Sequence, residues 1–304
     1  MTRRQFAGIA ASAVPLAGHA PIPIIDTHIH LFDTSRPQGV PWPAKDDPVL
    51  YKPALPARYM KLAQPLGVVG AIEVEASPWL EDNQWVLDIA VANPIIVGTV
   101  GDLEPGKPEF RKQLERFHRN PLFRGIRYGN LWGRDLAARI AERAFTDDLR
   151  VLAQAGLVLD TANPDTALVH AVVRLTDIVP ELRIIIDHLP NLQVPREAAA
   201  RQAYEADLRK LGERPQVFVK VSQVLQLKNR EEVVDQLWNA FGEDRLLYGS
   251  DWPNSDPFGT YSQVLAAVRP YFEKKGRAAA EKYFWKNSLA AYRWTKRDAA
   301  QPNT

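Results

Sequence analysis

Two histidines one residue apart, His28 and His30, stand close behind the apolar run at 22–25. If the run continues as a strand, the alternation of side chains places both imidazoles on the same side of it. Two imidazoles at a strand end can bind one metal ion or polarise one carbonyl oxygen. The tripeptide alone is equally compatible with two surface histidines or a hydrogen-bonded pair in a turn. The elements around it decide between these interpretations.

The composition excludes several classes of protein. The chain has 304 residues, 46% of them hydrophobic, which is enough for one large core. The net charge is +2 and basic and acidic residues are intermixed, so a nucleic-acid-binding surface is not expected. The absence of cysteine excludes disulfides and thiolate metal sites, which leaves His, Asp and Glu as candidate ligands.

The first twenty residues have the features of an export signal. Residues 2–6, Thr-Arg-Arg-Gln-Phe, resemble a twin-arginine motif, and the small residues Gly18 and Ala20 provide a cleavage point. The apolar stretch between them is too short to span a bilayer. We therefore predict a signal segment at 1–20 and a periplasmic protein without a membrane span. A cytoplasmic protein with a frayed N-terminus is the alternative interpretation.

The remaining residues, 21–304, are expected to form a single α/β domain. Their number is close to the roughly 250 residues of a (β/α)8 TIM barrel. Short apolar or β-branched runs bounded by Gly, Pro, Asn or Asp recur along them, at intervals that leave room for a helix. The eight candidate strands are 22–30, 68–75, 95–101, 123–128, 157–160, 182–188, 217–222 and 245–251.

Helical patterns separate the candidate strands, which is the alternation expected of a parallel sheet. They are clearest at 84–92, 109–119, 165–179, 198–211 and 231–241. The segment 31–56 is rich in proline and contains Trp42, so we expect an ordered cap over one mouth of the barrel. A flat doubly wound sheet is the alternative, but no glycine-rich phosphate loop follows the first strand.

Alternation along each strand also predicts which polar residues point into the barrel. Polar side chains fit poorly against an apolar helix layer, so the parity that carries them is assigned inward. The inward residues are Asp26, His28, His30, Glu73, Glu75, Arg127, His188, Lys220, Ser222 and Asp251. Most of them lie in the last residues of their strands, at the mouth where barrel active sites are found.

Structural roles are open for some of these side chains. Glu73 and Lys220 could form a buried ion pair that only neutralises itself. Asp26 could cap backbone groups below the site. Trp252 directly follows Asp251, where it could shape a substrate pocket or simply pack in the core.

The order and spacing of these motifs resemble the amidohydrolase superfamily. Within it they are most similar to the lactonase-like branch, which includes fuconolactonases, pyrone-dicarboxylate lactonases and sulfomuconolactone hydrolases. The resemblance spans nearly the whole chain after the signal segment. It rests on Ile-Asp-Thr-His-Ile-His at 25–30, Gly-Ile-Arg at 125–127, Ile-Asp-His-Leu-Pro at 186–190, Lys-Val-Ser at 220–222 and Tyr-Gly-Ser-Asp-Trp-Pro at 248–253.

The resemblance implies roles for four of these residues. His28 and His30 would bind a divalent metal or the substrate carbonyl, with His188 assisting. Asp251 would accept the proton of the attacking water. Metal-dependent members typically add a histidine on strand five or a carboxylated lysine or carboxylate on strand four, and this sequence has none of these there.

The expected metal site is therefore sparse. His28, His30 and Asp251 are its obvious ligands, with His188 as a further candidate. Three protein ligands and a water can make a catalytic zinc site. We expect one divalent ion, zinc or manganese, that is weakly bound or dispensable.

The predicted reaction is hydrolysis of a lactone or similar cyclic ester. Asp251 would be the general base on water, and the three imidazoles or a metal would polarise the carbonyl. Arg127 and Lys220 would favour an anionic lactone as the small-molecule substrate. The other predicted substrate-binding residues are Glu75, Ser222 and Trp252.

Two other functions are compatible with the same residues. One is metal-dependent decarboxylation of an unsaturated acid, and the other is small-molecule binding by a non-catalytic barrel. A homo-oligomer is also compatible with the sequence.

Overall fold

The computed structural model describes residues 20–304. The predicted signal segment thus lies almost wholly outside the described residues, and export stays a prediction. Within residues 20–304, no helix is both long and apolar enough to cross a membrane.

Eight parallel strands form one sheet in which each strand pairs with the next along the chain. The strands are β1 (Ile24–Ile29), β2 (Val68–Val74), β3 (Ile96–Gly101), β4 (Phe123–Arg127), β5 (Val158–Thr161), β6 (Arg183–Ile186), β7 (Val217–Val221) and β8 (Leu246–Tyr248). The sheet closes beyond β8, where the His30 N–H donates to the Trp252 carbonyl at 2.8 Å and the Asp251 N–H donates to the His28 carbonyl at 2.9 Å. The predicted TIM barrel is confirmed, and every predicted strand overlaps an observed one.

Helices lie between successive strands and after the last one. They are α1 (Pro56–Ala63), α2 (Asp82–Ala92), α3 (Phe110–His118), α4 (Leu136–Arg139), α5 (Arg143–Gln154), α6 (Thr166–Ile178), α7 (Ala198–Gly212), α8 (Arg230–Phe241), α9 (Tyr261–Lys274), α10 (Arg277–Glu281) and α11 (Asn287–Tyr292). Side-chain caps fix some of their starts: Asp165 accepts from the Leu168 N–H at the start of α6, and Thr260 and Gln263 form a reciprocal capping box at the start of α9. The helical patterns at 84–92, 109–119, 165–179, 198–211 and 231–241 correspond to α2, α3, α6, α7 and α8.

An apolar core fills the barrel below the site and is closed by the C-terminal segment. Tyr292 belongs to this core, and its hydroxyl donates to Asp160 Oδ2 on β5 at 2.8 Å. Arg297 donates to the carbonyls of Ala90 and Ile96 at 2.7 and 2.5 Å, which ties the segment to α2 and β3. The strands contribute Ile25, Ile72, Val74, Val97, Val100, Val158, Ile185, Phe218 and Leu247.

A β-bulge in β1 changes the direction predicted for Asp26. The pairing of β1 with β2 shifts its register just after Asp26, so that His28 points inward while Asp26 points to the helix layer. There its Oδ2 accepts hydrogen bonds from the hydroxyls of Tyr59 and Tyr261 at 3.0 and 2.8 Å. Its Oδ1 accepts from the backbone N–H groups of His28 and Ser250. The inward assignment is wrong, whereas the capping role is confirmed.

Glu73 also faces away from the barrel interior. It is in register with Ile29, which packs in the core between strands and helices, and it lies beside Asp82 and Trp85 of α2. Burial, reinforced by Glu75, raises the pKa of the Glu73 carboxyl well above its ordinary value. A neutral carboxylic acid can be buried against helices, whereas a charged one would need a partner. The inward assignment of Glu73 is therefore wrong as well.

Candidate active site

The four predicted catalytic side chains meet at the C-terminal mouth of the barrel. His28 and His30 come from β1 and its end, His188 follows β6 and Asp251 follows β8. The Oδ1 atom of Asp251 lies 3.5 Å from His28 Nε2, 3.3 Å from His30 Nε2 and 3.7 Å from His188 Nε2. One carboxylate oxygen is thus surrounded by three imidazole nitrogens. We call these four residues the histidine–aspartate cluster.

Left-handed backbone conformations occur just beyond three successive strands. His188, Gln223 and Asp251 have φ angles of 55°, 55° and 58°. This region costs a residue other than glycine roughly 1–3 kcal/mol, which the surrounding structure must supply. Strand alternation does not continue into such turns. The sequence analysis assigned His188 and Asp251 inward by strand parity, whereas in the structure these turns, and not strand alternation, set the direction of both side chains.

Two imidazoles are oriented by hydrogen bonds on the side that faces away from Asp251. His30 Nδ1 lies 2.8 Å from the Val74 carbonyl oxygen, which only accepts, so Nδ1 donates this hydrogen bond and Nε2 is the nitrogen that faces Asp251. His188 Nδ1 lies 2.7 Å from the Ser222 hydroxyl. Burial lowers the pKa of His188 to about 4 in spite of the nearby Asp251 carboxylate. His188 is therefore a neutral imidazole at neutral pH.

His28 has a different arrangement of partners. Its Nδ1 lies 3.1 Å from Lys220 Nζ and 3.6 Å from Asp187 Oδ1. An ammonium group only donates, so the nearer contact leaves the proton of His28 on Nε2. That nitrogen is buried and makes no hydrogen bond to any described residue. Burial, reinforced by Lys220, holds the pKa of His28 well below its ordinary value, so this ring is also neutral.

The second carboxylate oxygen of Asp251 is held by amide side chains. Oδ2 accepts from Gln223 Nε2 at 2.9 Å and from Asn254 Nδ2 at 2.8 Å. Gln223 Oε1 accepts in turn from Asn191 at 2.5 Å. Burial disfavours the ionised form, but the neighbouring imidazoles, His188 foremost, outweigh it and hold the pKa of Asp251 below its ordinary value. The sequence analysis missed these three amides because they lie in loops and a short 3-10 helix, where no strand period applies.

A buried charge network lies among the strands next to the cluster. Lys220 Nζ is 2.6 Å from Asp160 Oδ2 and 2.9 Å from Asp187 Oδ1, and all three side chains are fully buried. The predicted pairing of Glu73 with Lys220 is therefore wrong. Burial raises the pKa of Asp160 to about 6. For Asp187, Lys220 and the groups around it outweigh burial and hold its pKa well below the ordinary value.

Arg127 reaches the site from the end of β4. Its Nε donates to Asp187 Oδ2 at 3.0 Å, and its Nη1 lies 3.8 Å from Glu75 Oε1. The guanidinium is therefore paired with Asp187, and the Glu75 carboxyl group lies nearby without a hydrogen bond to it. An anionic substrate was expected on the basis of a free guanidinium, and Arg127 does not meet that condition.

A cavity of about 180 Å³ opens onto the histidine–aspartate cluster. Two of its walls are aromatic: Trp42 comes from the proline-rich segment 31–56 and Trp132 from the loop after β4. Amide side chains of Asn163, Gln223 and Asn254 supply polar groups between them. The expected ordered cap is therefore present, and it contributes a wall to the cavity.

The residues predicted to bind substrate divide into two groups. Arg127 and Glu75 line the cavity. Lys220, Ser222 and Trp252 are buried outside its lining. Lys220 contacts His28, Ser222 contacts His188, and Trp252 packs against Tyr59.

The spacing within the cluster fits one tetrahedral metal ion. Nitrogen and oxygen ligands about 2.0–2.1 Å from zinc lie roughly 3.3 Å from one another. His28 Nε2 and His30 Nε2 lie 3.5 and 3.3 Å from Asp251 Oδ1, and these three residues would hold the ion. His28 would first have to release its Nε2 proton, which the hydrogen bond from Lys220 disfavours.

Fold and site together define a class of protein: an eight-stranded α/β barrel with paired β1 histidines and an aspartate after β8 at its C-terminal mouth. The chain belongs to the amidohydrolase family, whose family model matches residues 25–294.

Individual relatives agree with this assignment. An L-fucono-1,5-lactonase from Burkholderia ambifaria is 27% identical over 287 residues, which cover 88% of this chain and 95% of that protein. An amidohydrolase from Burkholderia multivorans with bound zinc has the same fold, with a TM-score of 0.79, 22% identity and coverage of 90% of this chain and 99% of that one. A putative 2-pyrone-4,6-dicarboxylic acid hydrolase from Pseudomonas putida matches with a TM-score of 0.69, 21% identity and coverage of 90% and 98%.

Proposed function

We propose that this protein hydrolyses lactones, with Asp251 as the general base. The observation that carries the proposal is the convergence of three imidazole nitrogens on Asp251 Oδ1 at the floor of an open cavity. The similarity to proteins named L-fucono-1,5-lactonase supports the ester of a sugar lactone as the bond that is cleaved.

The two oxygens of Asp251 have different tasks in this reaction. Oδ2 is fixed by Gln223 and Asn254, so Oδ1 is the oxygen that faces the cavity side of the cluster. Oδ1 takes a proton from a water molecule, whose oxygen forms a bond to the ring carbonyl carbon. The C–O bond of the ring then breaks and yields the hydroxy acid.

The imidazoles of the cluster assist this step. Protonated ring nitrogens in the cluster donate to the carbonyl oxygen of the substrate and stabilise the negative charge that develops on it. Lys220 occupies Nδ1 of His28, so this ring carries its proton on Nε2, 3.5 Å from Asp251 Oδ1. A divalent metal held by His28, His30 and Asp251 would supply Lewis-acid polarisation of the same carbonyl.

The charges around the cavity favour an uncharged substrate. Arg127 and Lys220 are already neutralised by Asp187 and Asp160, and the Asp251 carboxylate is close to the same space. An additional substrate carboxylate would meet no unpaired cation among the described residues lining the cavity. Tryptophan faces and amide groups suit the apolar faces and hydroxyl groups of a sugar ring instead.

A lactone panel tests the proposed reaction. The purified protein is offered neutral sugar lactones, acidic lactones and unsaturated carboxylic acids, with acid release followed by a pH indicator and carbon dioxide release followed separately. We expect acid release from neutral sugar lactones. Carbon dioxide release from an unsaturated acid without lactone opening would favour the decarboxylase, and binding without turnover would favour the non-catalytic barrel.

We predict that Arg127→Met changes kcat/KM for acidic and neutral lactones by similar factors. If Arg127 held a substrate carboxylate, its loss would weaken binding of the acidic substrate, relative to the neutral one, by on the order of 2 kcal/mol. That energy corresponds to about a thirtyfold rise in KM. Because Asp187 already pairs with the guanidinium, the ratio of kcat/KM for the two substrates should change by less than about threefold. A loss of kcat/KM confined to the acidic lactone would instead support an anionic substrate.

We predict weak dependence on metal. Zinc or manganese should be substoichiometric in the purified protein or easily stripped by a chelator, and part of the lactonase activity should survive. The reason is the competition between the metal and the proton on His28 Nε2. Elemental analysis before and after chelation, with activity measured on the same samples, provides the check. One tightly held ion per chain and complete loss of activity on its removal would contradict the prediction.

A further inference from the structure

Glu75 is a second carboxyl group that lines the cavity above the cluster. Its position matters because lactone opening requires two proton transfers, one from the attacking water and one to the ring oxygen. Asp251 removes one from water, and the ring oxygen must gain one as it leaves. This inference rests on the proposed lactone hydrolysis and asks which residue supplies the second proton.

The hydrogen bonds of Glu75 distinguish its two oxygens. Oε2 accepts from the Ser77 N–H at 3.2 Å and from Trp132 Nε1 at 3.0 Å. Oε1 is buried and makes no hydrogen bond to a described residue, and its nearest cation is Arg127 Nη1 at 3.8 Å. Since Oε2 already accepts two N–H donors, a proton on this carboxyl group sits on Oε1.

The surroundings of Glu75 favour that proton. Burial raises the pKa of Glu75 to about 7. The Asp102 carboxyl group also raises this pKa, whereas Arg127 and Arg134 lower it. Glu73 lies two residues earlier on the same strand, and burial, reinforced by Glu75, raises its pKa well above the ordinary value too. A carboxylic acid with a pKa near the working pH is well suited to donate a proton in a transition state.

We infer that Glu75 is the general acid that protonates the ring oxygen of the lactone. As the water oxygen bonds to the carbonyl carbon, Asp251 accepts one water proton. The ring C–O bond breaks, its electron pair goes to the ring oxygen, and that oxygen takes the proton of Glu75 Oε1. Through solvent, the proton on Asp251 then returns and Glu75 is reprotonated, so the reaction consumes only water and lactone.

The experiment compares two lactones that differ in the basicity of the leaving oxygen. The ring oxygen of a sugar δ-lactone leaves as an alkoxide, which needs a proton. The ring oxygen of the phenolic lactone dihydrocoumarin leaves as a much less basic phenoxide. Glu75→Gln keeps acceptors for Ser77 and Trp132 but cannot donate an acidic proton. Glu73→Gln is the matched control, because it replaces a buried carboxyl group of the same strand that faces the helix layer.

We expect Glu75→Gln to lower kcat for the sugar lactone by about a hundredfold and for dihydrocoumarin by less than about threefold. Glu73→Gln should stay within about threefold of the unaltered protein on both lactones. In the unaltered protein, kcat for the sugar lactone should fall as the pH rises past about 7, because Glu75 loses its proton, and Glu75→Gln should abolish this fall.

Equal losses on both lactones in Glu75→Gln would overturn the inference, as would an alkaline fall in kcat that persists in that variant. The unaltered protein gives an independent measurement that needs no variant to fold: the alkaline fall should appear with the sugar lactone and be absent with dihydrocoumarin. The same fall with both lactones would also overturn the role of Glu75. Absence of any lactone turnover by the unaltered protein would instead refute the proposed function itself.

Discussion

Asp251→Asn should reduce lactone turnover at least about a hundredfold, within the range for loss of a general base. The asparagine keeps the shape of the side chain, so its oxygen can still accept from Gln223 and Asn254. Its nitrogen then faces the imidazoles and cannot take a proton from water. The loss should therefore appear in kcat, while the affinity for the hydroxy-acid product, measured by calorimetry, changes little.

Asp256→Asn is the matched control for this experiment. It makes the same change in the same loop, at a carboxylate that pairs with Arg58 at 2.5 Å and does not line the cavity. Its turnover should stay within about threefold of the unaltered protein, because the change lies outside the cavity. Near-normal turnover by Asp251→Asn would refute the assignment of the base.

Lys220→Met should lower the free energy of unfolding by about 3–5 kcal/mol, the cost of removing one partner from a buried ion pair. Methionine fills a similar volume but leaves Asp160 and Asp187 facing each other without a cation. The loss of stability should shrink as the pH falls, because a carboxyl group that has taken up a proton is neutral and no longer needs a cation beside it. Urea denaturation at several pH values measures both effects.

Two further variants make this prediction specific. Lys274 is 80% exposed and pairs loosely with Glu231 at 3.9 Å, so Lys274→Met should change the free energy of unfolding by less than about 1 kcal/mol. Adding Asp160→Asn to Lys220→Met removes one of the two unpaired carboxylates and should recover part of the lost stability. A loss below about 1 kcal/mol in Lys220→Met would mean that the network is not held by this charge.

The sequence predicted the barrel well because strand and helix periods are local signals. All eight strands and the five clearest helices lie where composition and turn residues indicated. Inward direction was also correct where the strands are regular, as for Arg127 in β4 and Lys220 in β7. The same parity rule points Asp160 inward on β5, so the partner of Lys220 was within reach of sequence reasoning.

The remaining parts of the site depend on features with no sequence period. A bulge in β1 reverses the direction of Asp26 relative to a regular strand. Left-handed turns aim His188, Gln223 and Asp251. Asn254 is positioned by a loop. The charge neutralisation of Arg127 arises between strands distant in sequence, and this is why an anionic substrate looked favourable before the fold was known.

The segment that closes the lower end of the barrel has a consequence for how the protein is made. Tyr292, Arg297 and Gln301 follow all eight strands in the chain, yet they bind Asp160 and the backbone around β2 and β3. A ribosome that has released β8 has therefore not yet released the residues that plug the core. The nascent barrel stays open at that end until they emerge, so its final docking should be a late event in synthesis.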